Sequence, residues 1–429
     1  MISTPGYTDS YYSASASPLP SYPQLEGTRE ADVCVIGAGY TGLSTALHLA
    51  ERGYKVTLLE AERVAWGASG RNGGHVGVGQ RRCQSDLEEM FGVDIAKRLW
   101  QFSLEAVHLV EQLIKKHQIH CDLKRGIMHL AAKPSHDNYL RKEAELLQER
   151  YGYTDVRYAD EQEMGGLVGT RRYLGAQIDS GSLHLHPLNY GLGLAAACVK
   201  AGVELFEHSR VTGYRGGHSC TVETAKGQVK ANNMVLACNG YLGNLEPRLA
   251  GKIMPINNFI LATEPLSEPL AQKLIANDYA VQDTLFVINY WKLSGDNRLI
   301  FGGGENYTAR FPADIRKFVR KNMLKVYPQL EQTRIDYGWG GTLAITLNRM
   351  PHMGRLEHNV YYSQGYSGHG VPTATFAGKL LAEVIAGTEE RFDIMSKIPT
   401  ETFPGGTLLR WPGLVLGMLY HSLLDRFGH

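Results

Sequence analysis

The chain has 429 residues, of which 43% are hydrophobic and 20% are charged, values that are usual for globular proteins. Its 44 Lys and Arg residues balance 43 Asp and Glu residues, so the net charge of +1 gives no sign of a nucleic-acid-binding surface. The length suggests two domains or one large α/β unit. The six cysteines form no Cys-x-x-Cys pair, which favours packed, reduced thiols in a cytoplasmic protein over a disulfide framework.

The N-terminal stretch is rich in Ser, Pro and Tyr and has neither the basic nor the apolar segment of a signal peptide. We expect an extended arm over residues 1–30. A strand over residues 31–36 follows and leads into a Gly-Ala-Gly-Tyr-Thr-Gly loop, a helical pattern and a second strand that ends at Glu60.

This strand–loop–helix–strand order is the context in which a glycine loop binds a dinucleotide. Gly37 permits the tight turn, Gly39 lets the backbone approach a pyrophosphate, and Gly42 lets the helix pack closely on the strand. Glu60 has the spacing of a carboxylate that accepts hydrogen bonds from ribose hydroxyls. The loop does not separate NAD from FAD. Its predicted contacts are Gly37, Ala38, Gly39, Tyr40, Thr41, Gly42, Glu60 and Ala61.

A second glycine-rich loop follows at residues 63–77, soon after the ribose-binding strand. A nicotinamide dehydrogenase would continue with a plain helix, whereas a loop with many N–H groups fits the longer FAD molecule; an ordinary surface loop is the alternative. Val211 and Ala237 are candidates for contact with adenine, although plain core strands explain them equally well. The predicted contacts here are Gly67, Ala68, Ser69, Arg71, Asn72, Gly73, Gly74, His75, Val211 and Ala237.

Farther along, residues 285–305 predict a β-hairpin with its turn near Gly295, and Tyr290 and Trp291 on opposite faces of its first strand. An amphipathic helix opened by Pro312 comes next. A third glycine turn, Gly-Tyr-Ser-Gly-His-Gly, precedes a helix that is predicted to begin at about Val371.

The three glycine motifs resemble those of the FAD-dependent D-amino-acid oxidase superfamily. Segments at residues 10–16, 184–189, 296–304 and 403–406 extend the likeness over nearly the whole chain to its γ-glutamylputrescine oxidases. The resemblance implies an α/β fold, in which an FAD-binding Rossmann-like domain of the DAO type carries a discontinuous second domain built on an antiparallel sheet.

The resemblance also implies the division of the chain. The FAD-binding domain would take residues 31–92, 183–249 and 340–387, and the substrate domain residues 93–182 and 250–339. Residues 388–429 would form an extension with an amphipathic helix from Trp411. Its apolar part is too short to span a bilayer and lacks a strongly basic face, so packing on the protein's own surface is favoured over membrane contact.

The chemistry implied by the resemblance is oxidation of a carbon next to an amine, by hydride transfer to N5 of noncovalently bound FAD. A γ-glutamylated polyamine and O2 would give an aldehyde, ammonia and H2O2. Alternatives are a dehydrogenase that passes electrons to a quinone or carrier, a glycine- or sarcosine-type oxidase, and a flavin-bearing protein without turnover. His75 stands where the γ-glutamylputrescine oxidases have glutamine, which leaves the preferred amine open, and the oligomeric state is open as well.

The third glycine turn and the helix after it are expected to hold the flavin end of the cofactor. Its predicted contacts, with one residue from the preceding strand region, are Gly341, Gly368, His369, Gly370, Val371 and Thr373. The candidates for lowering the pKa of the substrate amine and for catalysis are His369, Tyr366, Lys292, Tyr290 and His75. The candidates for substrate binding are Arg349 and Trp291. No metal site is expected, because the pairs His184/His186 and His117/His120 lack a convincing third ligand.

Overall fold

The computed structural model describes residues 6–17, 20–306 and 311–407. Its strands, in chain order, are β1 (Gly27–Ile36), β2 (Val56–Leu59), β3 (His75–Val76), β4 (Lys124–Leu130), β5 (Val156–Asp160), β6 (Gly175–His184), β7 (Glu204–Phe206), β8 (Val211–Arg215), β9 (Cys220–Thr224), β10 (Gly227–Leu236), β11 (Met254–Thr263), β12 (Ala280–Asp283), β13 (Tyr290–Leu293), β14 (Leu299–Asn306), β15 (Ile335–Ile345), β16 (His352–Glu357) and β17 (Val360–Gln364).

The α-helices, in the same order, are α1 (Tyr11–Ala14), α2 (Tyr40–Ala50), α3 (Gln84–Phe91), α4 (Val93–His117), α5 (Pro134–Tyr151), α6 (Glu161–Leu167), α7 (Pro187–Lys200), α8 (Pro247–Ala250), α9 (Glu268–Leu274), α10 (Ile315–Val326), α11 (Gly370–Ile385) and α12 (Glu390–Ser396). Within the described ranges, no helix combines the length and the apolar character that crossing a membrane requires.

The first sheet has a parallel centre in the order β17, β10, β1, β2 and β7. β16 pairs antiparallel with β17 at one edge, and the hairpin of β8 and β9 joins β10. β2 is buried along its whole length, as expected of a parallel strand covered on both faces. On one face the apolar sides of α2, α4, α7 and α11 form a continuous core.

The second sheet runs in the order β15, β11, β14, β13, β12, β4, β6 and β3, with β5 also paired to β6. Its neighbours are antiparallel except β12 and β4, which are parallel. β13 and β14 form the predicted hairpin. The two-sheet α/β architecture confirms the predicted fold class, with the difference that the second sheet is mixed rather than wholly antiparallel.

Three elements differ from the sequence-based expectations. The N-terminal arm is not wholly extended, because α1 buries Tyr12 edge-on against His186 and Trp339. α10 begins at Ile315 rather than at Pro312, because the Asp314 side chain accepts a hydrogen bond from the backbone N–H of Lys317 and caps the helix.

The third difference is α4. The predicted division assigned residues 93–182 to the substrate domain, but α4 packs against α7 and α11, which belong to the layer of the first sheet. The amphipathic helix predicted from Trp411 lies outside the described residues.

The topology explains why motifs so far apart in sequence meet. β17, β10 and β1 are parallel neighbours, and they end at Gln364, Leu236 and Ile36. Their carboxyl ends therefore lie side by side at one edge of the first sheet, which is where ligands bind in open α/β sheets. The first and third glycine turns leave the sheet at this edge.

Candidate active site: a cavity between the two sheets

A cavity of about 1120 Å³ opens at this carboxyl edge and continues toward the second sheet. Pockets for small molecules usually measure about 300–1,000 Å³, so the space suits a long cofactor together with a substrate. Of the predicted site residues, those that line the cavity are Gly39, Tyr40, Thr41, Ala68, Ser69, Arg71, Asn72, Gly73, His75, Ala237, Tyr290, Gly341, Arg349, Tyr366, Gly368, His369, Gly370 and Val371.

The first glycine loop is held by contacts that leave no room for side chains. Gly37 has a φ of +103°, and a Cβ atom there would lie 2.8 Å from the carbonyl oxygen of Ala237. A Cβ atom on Gly42 would lie 1.8 Å from the carbonyl oxygen of Gly37. These close approaches aim the N-terminus of α2, which starts at Tyr40, at the cavity. Its backbone N–H groups and partial positive charge suit an anionic pyrophosphate.

Glu60 fixes the same loop from the neighbouring strand. Its Oε2 accepts from the backbone N–H of Ala38 at 2.7 Å, and its Oε1 accepts from that of Glu62 at 2.9 Å. Burial raises the pKa of this carboxyl group. Glu60 is not among the residues that line the cavity, so its contact with ribose hydroxyls stays a prediction.

The second glycine loop is organised by its own side chains. The Asn72 amide donates to the carbonyl oxygens of Ala68 and Ser69 at 3.1 and 2.9 Å, and its oxygen accepts from the N–H of Gly74 at 2.7 Å. Tyr40 donates its backbone N–H to Ser69 Oγ at 3.1 Å, which ties the second loop to the start of α2.

Arg71 is the charged group of this loop, and it is almost wholly buried. Its guanidinium lies 4.0 Å from the ring centre of Trp66, and its Nε donates to the carbonyl oxygen of Trp66 at 2.7 Å. Nη1 donates to the carbonyl oxygen of Gly340 at 3.2 Å, while Nη2 has no hydrogen-bond partner in the described structure. A buried donor without an acceptor is costly, so a ligand acceptor is expected there.

The third turn is joined directly to the first. Tyr366 shares a hydrogen bond of 2.6 Å with Thr41 Oγ1 and donates to Ser363 Oγ at 2.9 Å. Burial raises the pKa of Tyr366 to about 12, so its hydroxyl is neutral at physiological pH. Arg81 donates its Nε to the carbonyl oxygen of Ser367 at 3.1 Å and holds the turn from the other side.

Two histidines line the cavity near this turn. His75 places its Nε2 3.1 Å from the carbonyl oxygen of Val281, and its ring meets Tyr290 edge-on at 5.8 Å. His369 precedes α11, and its Nε2 has no partner among the described residues. Burial lowers the pKa of both imidazoles to about 4, so both are neutral at pH 7.

Lys292 and Trp291 are neighbours on β13 but have different surroundings. Lys292 is 4% exposed and lies behind the second glycine loop, where its Nζ donates to the carbonyl oxygen of Leu185. A Cβ atom on Gly74 would lie 3.1 Å from this Nζ. Burial lowers the pKa of Lys292 to about 7.

Trp291 points the other way, as the alternation along a strand requires. It stacks on Phe301 at 5.4 Å, and its Nε1 donates to the hydroxyl of Tyr327 at 3.0 Å, inside the core of the second sheet. It does not line the cavity. The expectation that Trp291 contacts the substrate is therefore wrong for this structure. Arg349 lines the cavity and has a φ of +66°.

Two predicted cofactor contacts also point elsewhere. Val211 is partly buried against the core on the face of the first sheet that α2 does not cover. Thr373 lies on a separate small cavity next to Phe102 and Phe376, because it occupies another face of α11 than Gly370 and Val371. The remaining predicted contacts that do not line the main cavity are Gly37, Ala38, Gly42, Glu60, Ala61, Gly67 and Gly74.

Sequence reasoning missed the far end of the cavity. Gln80, Trp100 and Gln177 line it, and each has a buried polar side-chain atom without a partner in the described ranges. They come from a loop, from α4 and from β6, so no local motif joins them. One local signal was available, since Gln177 and Asp179 alternate along one strand and share a face.

The histidines of the pair His184/His186 have hydrogen-bond partners of their own. His184 Nε2 lies 2.9 Å from the carbonyl oxygen of Asp278, and His186 Nδ1 accepts from the N–H of Asn189 at 3.1 Å. Across the described residues, no three metal-binding side chains come together. All six cysteines are free thiols.

Comparisons with known proteins agree with this geometry. The chain matches the family model "DAO: FAD dependent oxidoreductase" over residues 32–384. It is 43% identical to "Gamma-glutamylputrescine oxidoreductase" of Escherichia coli (strain K12), an alignment that covers 98% of this chain and 99% of the relative. It is 40% identical to "Probable oxidoreductase OrdL" of Haemophilus influenzae, covering 97% of each chain.

Among solved structures, glycine oxidase from Geobacillus kaustophilus is similar with a TM-score of 0.73, at 20% identity over 85% of this chain and 97% of that one. This likeness shows the fold. The chain therefore belongs to the DAO family of FAD-dependent oxidoreductases, which confirms the resemblance seen in its sequence.

The residues present fit FAD. Gly37 and Gly42 bring α2 up to the cavity, where side chains would block the approach. The unpartnered Nη2 of Arg71 offers a donor beside the second loop. The third turn is bonded to the first, so both border one continuous space. The protein is an FAD-dependent oxidoreductase.

Proposed function

We propose that this protein oxidises the terminal amine of a γ-glutamylated polyamine, γ-glutamylputrescine or a close analogue. The observation that carries the proposal is the near-full-length identity of 43% to the γ-glutamylputrescine oxidoreductase of Escherichia coli. The size of the cavity supports it, since a long, linear substrate needs space beyond the cofactor.

Bound FAD would accept the two electrons and the hydrogen removed from the carbon next to the amine. The protein must first favour the neutral amine, because an alkylammonium group has a pKa of about 10.4 in water. Burial in the cavity disfavours the charged form and lowers that pKa. His75 and His369 are neutral at pH 7, so neither acts as a cation there.

His369 is the group that we propose positions the amine. Its Nε2 is buried and has no hydrogen-bond partner among the described residues, while the turn that carries it is held through Tyr366 and Ser367. A neutral imidazole nitrogen in this place can exchange a hydrogen bond with an amine. Tyr290 donates its hydroxyl to Asn258 Oδ1 at 2.5 Å, so its contribution is to shape the wall beside Gly73.

We propose roles for two cationic side chains in substrate binding and in the reduction of O2. Arg349 lines the cavity, and a guanidinium binds a carboxylate bidentately, so we propose that it contacts the carboxylate of the glutamyl group. Lys292 is the buried amine behind the second glycine loop, and its protonated form would favour negative charge as O2 is reduced.

We also propose that FAD is bound without a covalent link. Acid precipitation of the purified yellow protein tests this directly. The flavin should remain in the supernatant, and a yellow pellet after washing would contradict noncovalent binding.

The activity is tested by incubating the FAD-loaded protein in air with γ-glutamylputrescine and measuring ammonia, aldehyde and H2O2. Equal amounts of all three support the oxidase. Ammonia without H2O2, formed after a quinone is added, would replace the oxidase with a dehydrogenase. Turnover of glycine or sarcosine, with none of the γ-glutamylated amine, would overturn the proposed substrate class.

A further inference from the structure

The far end of the cavity forms a recess built from α4, α5, β6 and the loop after α5. Tyr139, Glu143 and Leu147 follow one another at four-residue spacing on α5 and share one face of that helix. Gln177 and Asp179 of β6 and Trp100 of α4 line the cavity as well. We call the part of the cavity lined by Trp100, Tyr139, Glu143, Tyr153, Gln177 and Asp179 the Trp100 recess.

The Trp100 recess contains two carboxylates without a counter-charge. Glu143 is 5% exposed and accepts hydrogen bonds from the N–H of Gln84 and the hydroxyl of Ser85. Asp179 accepts from the hydroxyls of Tyr153 and Ser182 and from the backbone N–H groups of Gly181 and Ser182. Neither forms an ion pair in the part of the chain that the structure describes, and burial raises the pKa of both.

Trp100 gives an independent sign of a ligand. It is 3% exposed, it lines the recess, and its indole N–H has no hydrogen-bond partner among the described residues. The amide nitrogen of Gln177 lacks a partner as well. These two donors of cavity-lining residues have no acceptor in the described structure, and a ligand oxygen would supply one, because buried polar groups are normally satisfied.

The aromatic side chains of the recess also suit a bound ammonium group. Trp100 meets Tyr153 edge-on at 5.2 Å, and the hydroxyl of Tyr153 lies 2.6 Å from Asp179. A ring beside a carboxylate is a favourable environment for an ammonium group, which interacts with both. The Trp100 recess therefore offers acceptors for a cation and donors for a neighbouring oxygen.

We propose that the Trp100 recess binds the amino-acid head group of the substrate, with its α-ammonium group at Glu143 and Asp179 and an oxygen at the Trp100 N–H. This rests on the proposed function, since it names the part of a γ-glutamylated amine that lies remote from the oxidised carbon. The recess then selects γ-glutamylated amines over free diamines, which have no such oxygen.

Two ligands that cannot be oxidised distinguish the contact of the α-ammonium group from the contact of the oxygen. γ-Glutamylbutylamide keeps the head group but lacks the oxidisable amine, and N-butylglutaramic acid lacks the α-amino group in addition. Titration calorimetry on the FAD-loaded full chain measures both affinities. Wild-type protein should bind γ-glutamylbutylamide at least about tenfold more tightly, because the second ligand leaves buried carboxylates without a cation.

Trp100→Phe keeps an aromatic ring and removes the N–H, so it should weaken the binding of both ligands by about tenfold without changing the ratio of their affinities. Glu143→Gln keeps an acceptor for the Gln84 N–H and removes the charge, so it should reduce the ratio by at least about threefold. Tyr151→Phe is the matched control. Tyr151 packs on Trp100 at 5.7 Å but binds Glu88 outside the cavity, so both affinities should be unchanged.

The outcomes distinguish this inference from the proposed function. Binding of γ-glutamylbutylamide with the expected variant effects supports the recess, even if γ-glutamylputrescine is not oxidised. Turnover of γ-glutamylputrescine with equal affinities in wild type, Trp100→Phe and Glu143→Gln overturns the recess and leaves the proposed function standing. Absence of binding to the wild-type protein also overturns the inference.

Discussion

The two ends of the cavity are built in different ways. At the glycine end, backbone groups meet at distances that exclude side chains, and Thr41 joins Tyr366 across 325 residues of sequence. At the Trp100 recess, side chains from α4, α5, β6 and the loop after α5 supply the polar groups, and two polar atoms have no partner among the described residues. A cofactor of fixed shape suits a rigid backbone cradle, whereas selection of one amine requires side chains that can differ between relatives.

The largest effect is expected for a substitution at the close contact between the backbones of Gly37 and Gly42. Gly42→Ala places a methyl group 1.8 Å from the carbonyl oxygen of Gly37, so either the loop or α2 must move. We expect loss of FAD from the purified protein, measured by the flavin-to-protein absorbance ratio. Gly165→Ala on α6 is the matched control, since a Cβ atom there contacts nothing within 4 Å. Full FAD content in Gly42→Ala would show that the close approach is not needed.

Lys292→Met should affect the reaction with O2. We expect the rate constant for reoxidation of the reduced enzyme by O2 to fall by about 10- to 100-fold, with anaerobic reduction by substrate much less affected. Stopped-flow spectroscopy measures the two half-reactions separately. An unchanged oxidation rate would remove Lys292 from the oxygen reaction.

The lowered pKa of Lys292 predicts that the rate of the reaction with O2 depends on pH. The pKa of Lys292 is lowered to about 7, so its charge is present below that pH and is lost as pH rises through it. The wild-type reaction with O2 should slow over this range. Lys124 also lowers the pKa of Lys292, so Lys124→Met should shift the decline to higher pH. The decline should be absent in Lys292→Met.

His369→Ala tests whether this side chain acts on the substrate amine or only supports the third glycine turn. The imidazole Nε2 has no hydrogen-bond partner among the described residues, whereas the backbone of the turn is held by other residues. The rate of anaerobic flavin bleaching should fall by about tenfold, while the Kd for FAD changes little. Equal losses in reduction rate and in FAD affinity would make His369 a structural residue of the turn.

The smallest effect is expected for Tyr366→Phe, which removes the link between the first and third turns. We expect a loss of about 1–2 kcal/mol in the free energy of unfolding and weaker FAD binding. Tyr362→Phe removes a hydroxyl that lies 2.9 Å from His352, away from the first glycine loop, and should lower stability alone. If both variants bind FAD as the wild type does, the Thr41–Tyr366 bond has no role in the cradle.

The same contrast explains what the sequence could predict. The three glycine motifs are local patterns, so the strand–loop–helix order and most contacts at the glycine end could be located before the structure. The sequence does not place Trp291 correctly, because alternation along β13 puts Tyr290 and Trp291 on opposite faces but does not say which face meets the cavity. The Trp100 recess could not be found, because Trp100, Glu143 and Asp179 lie on separate elements whose packing no local pattern records.

The central claim is that one cavity joins an FAD cradle to a pocket for a γ-glutamylated amine. The most direct measurement is the rate of flavin bleaching when the FAD-loaded protein is mixed anaerobically with γ-glutamylputrescine or with free putrescine. We expect bleaching by γ-glutamylputrescine to be at least about tenfold faster at equal, subsaturating concentration. Equal rates for the two amines, or no bleaching by either, would contradict the account.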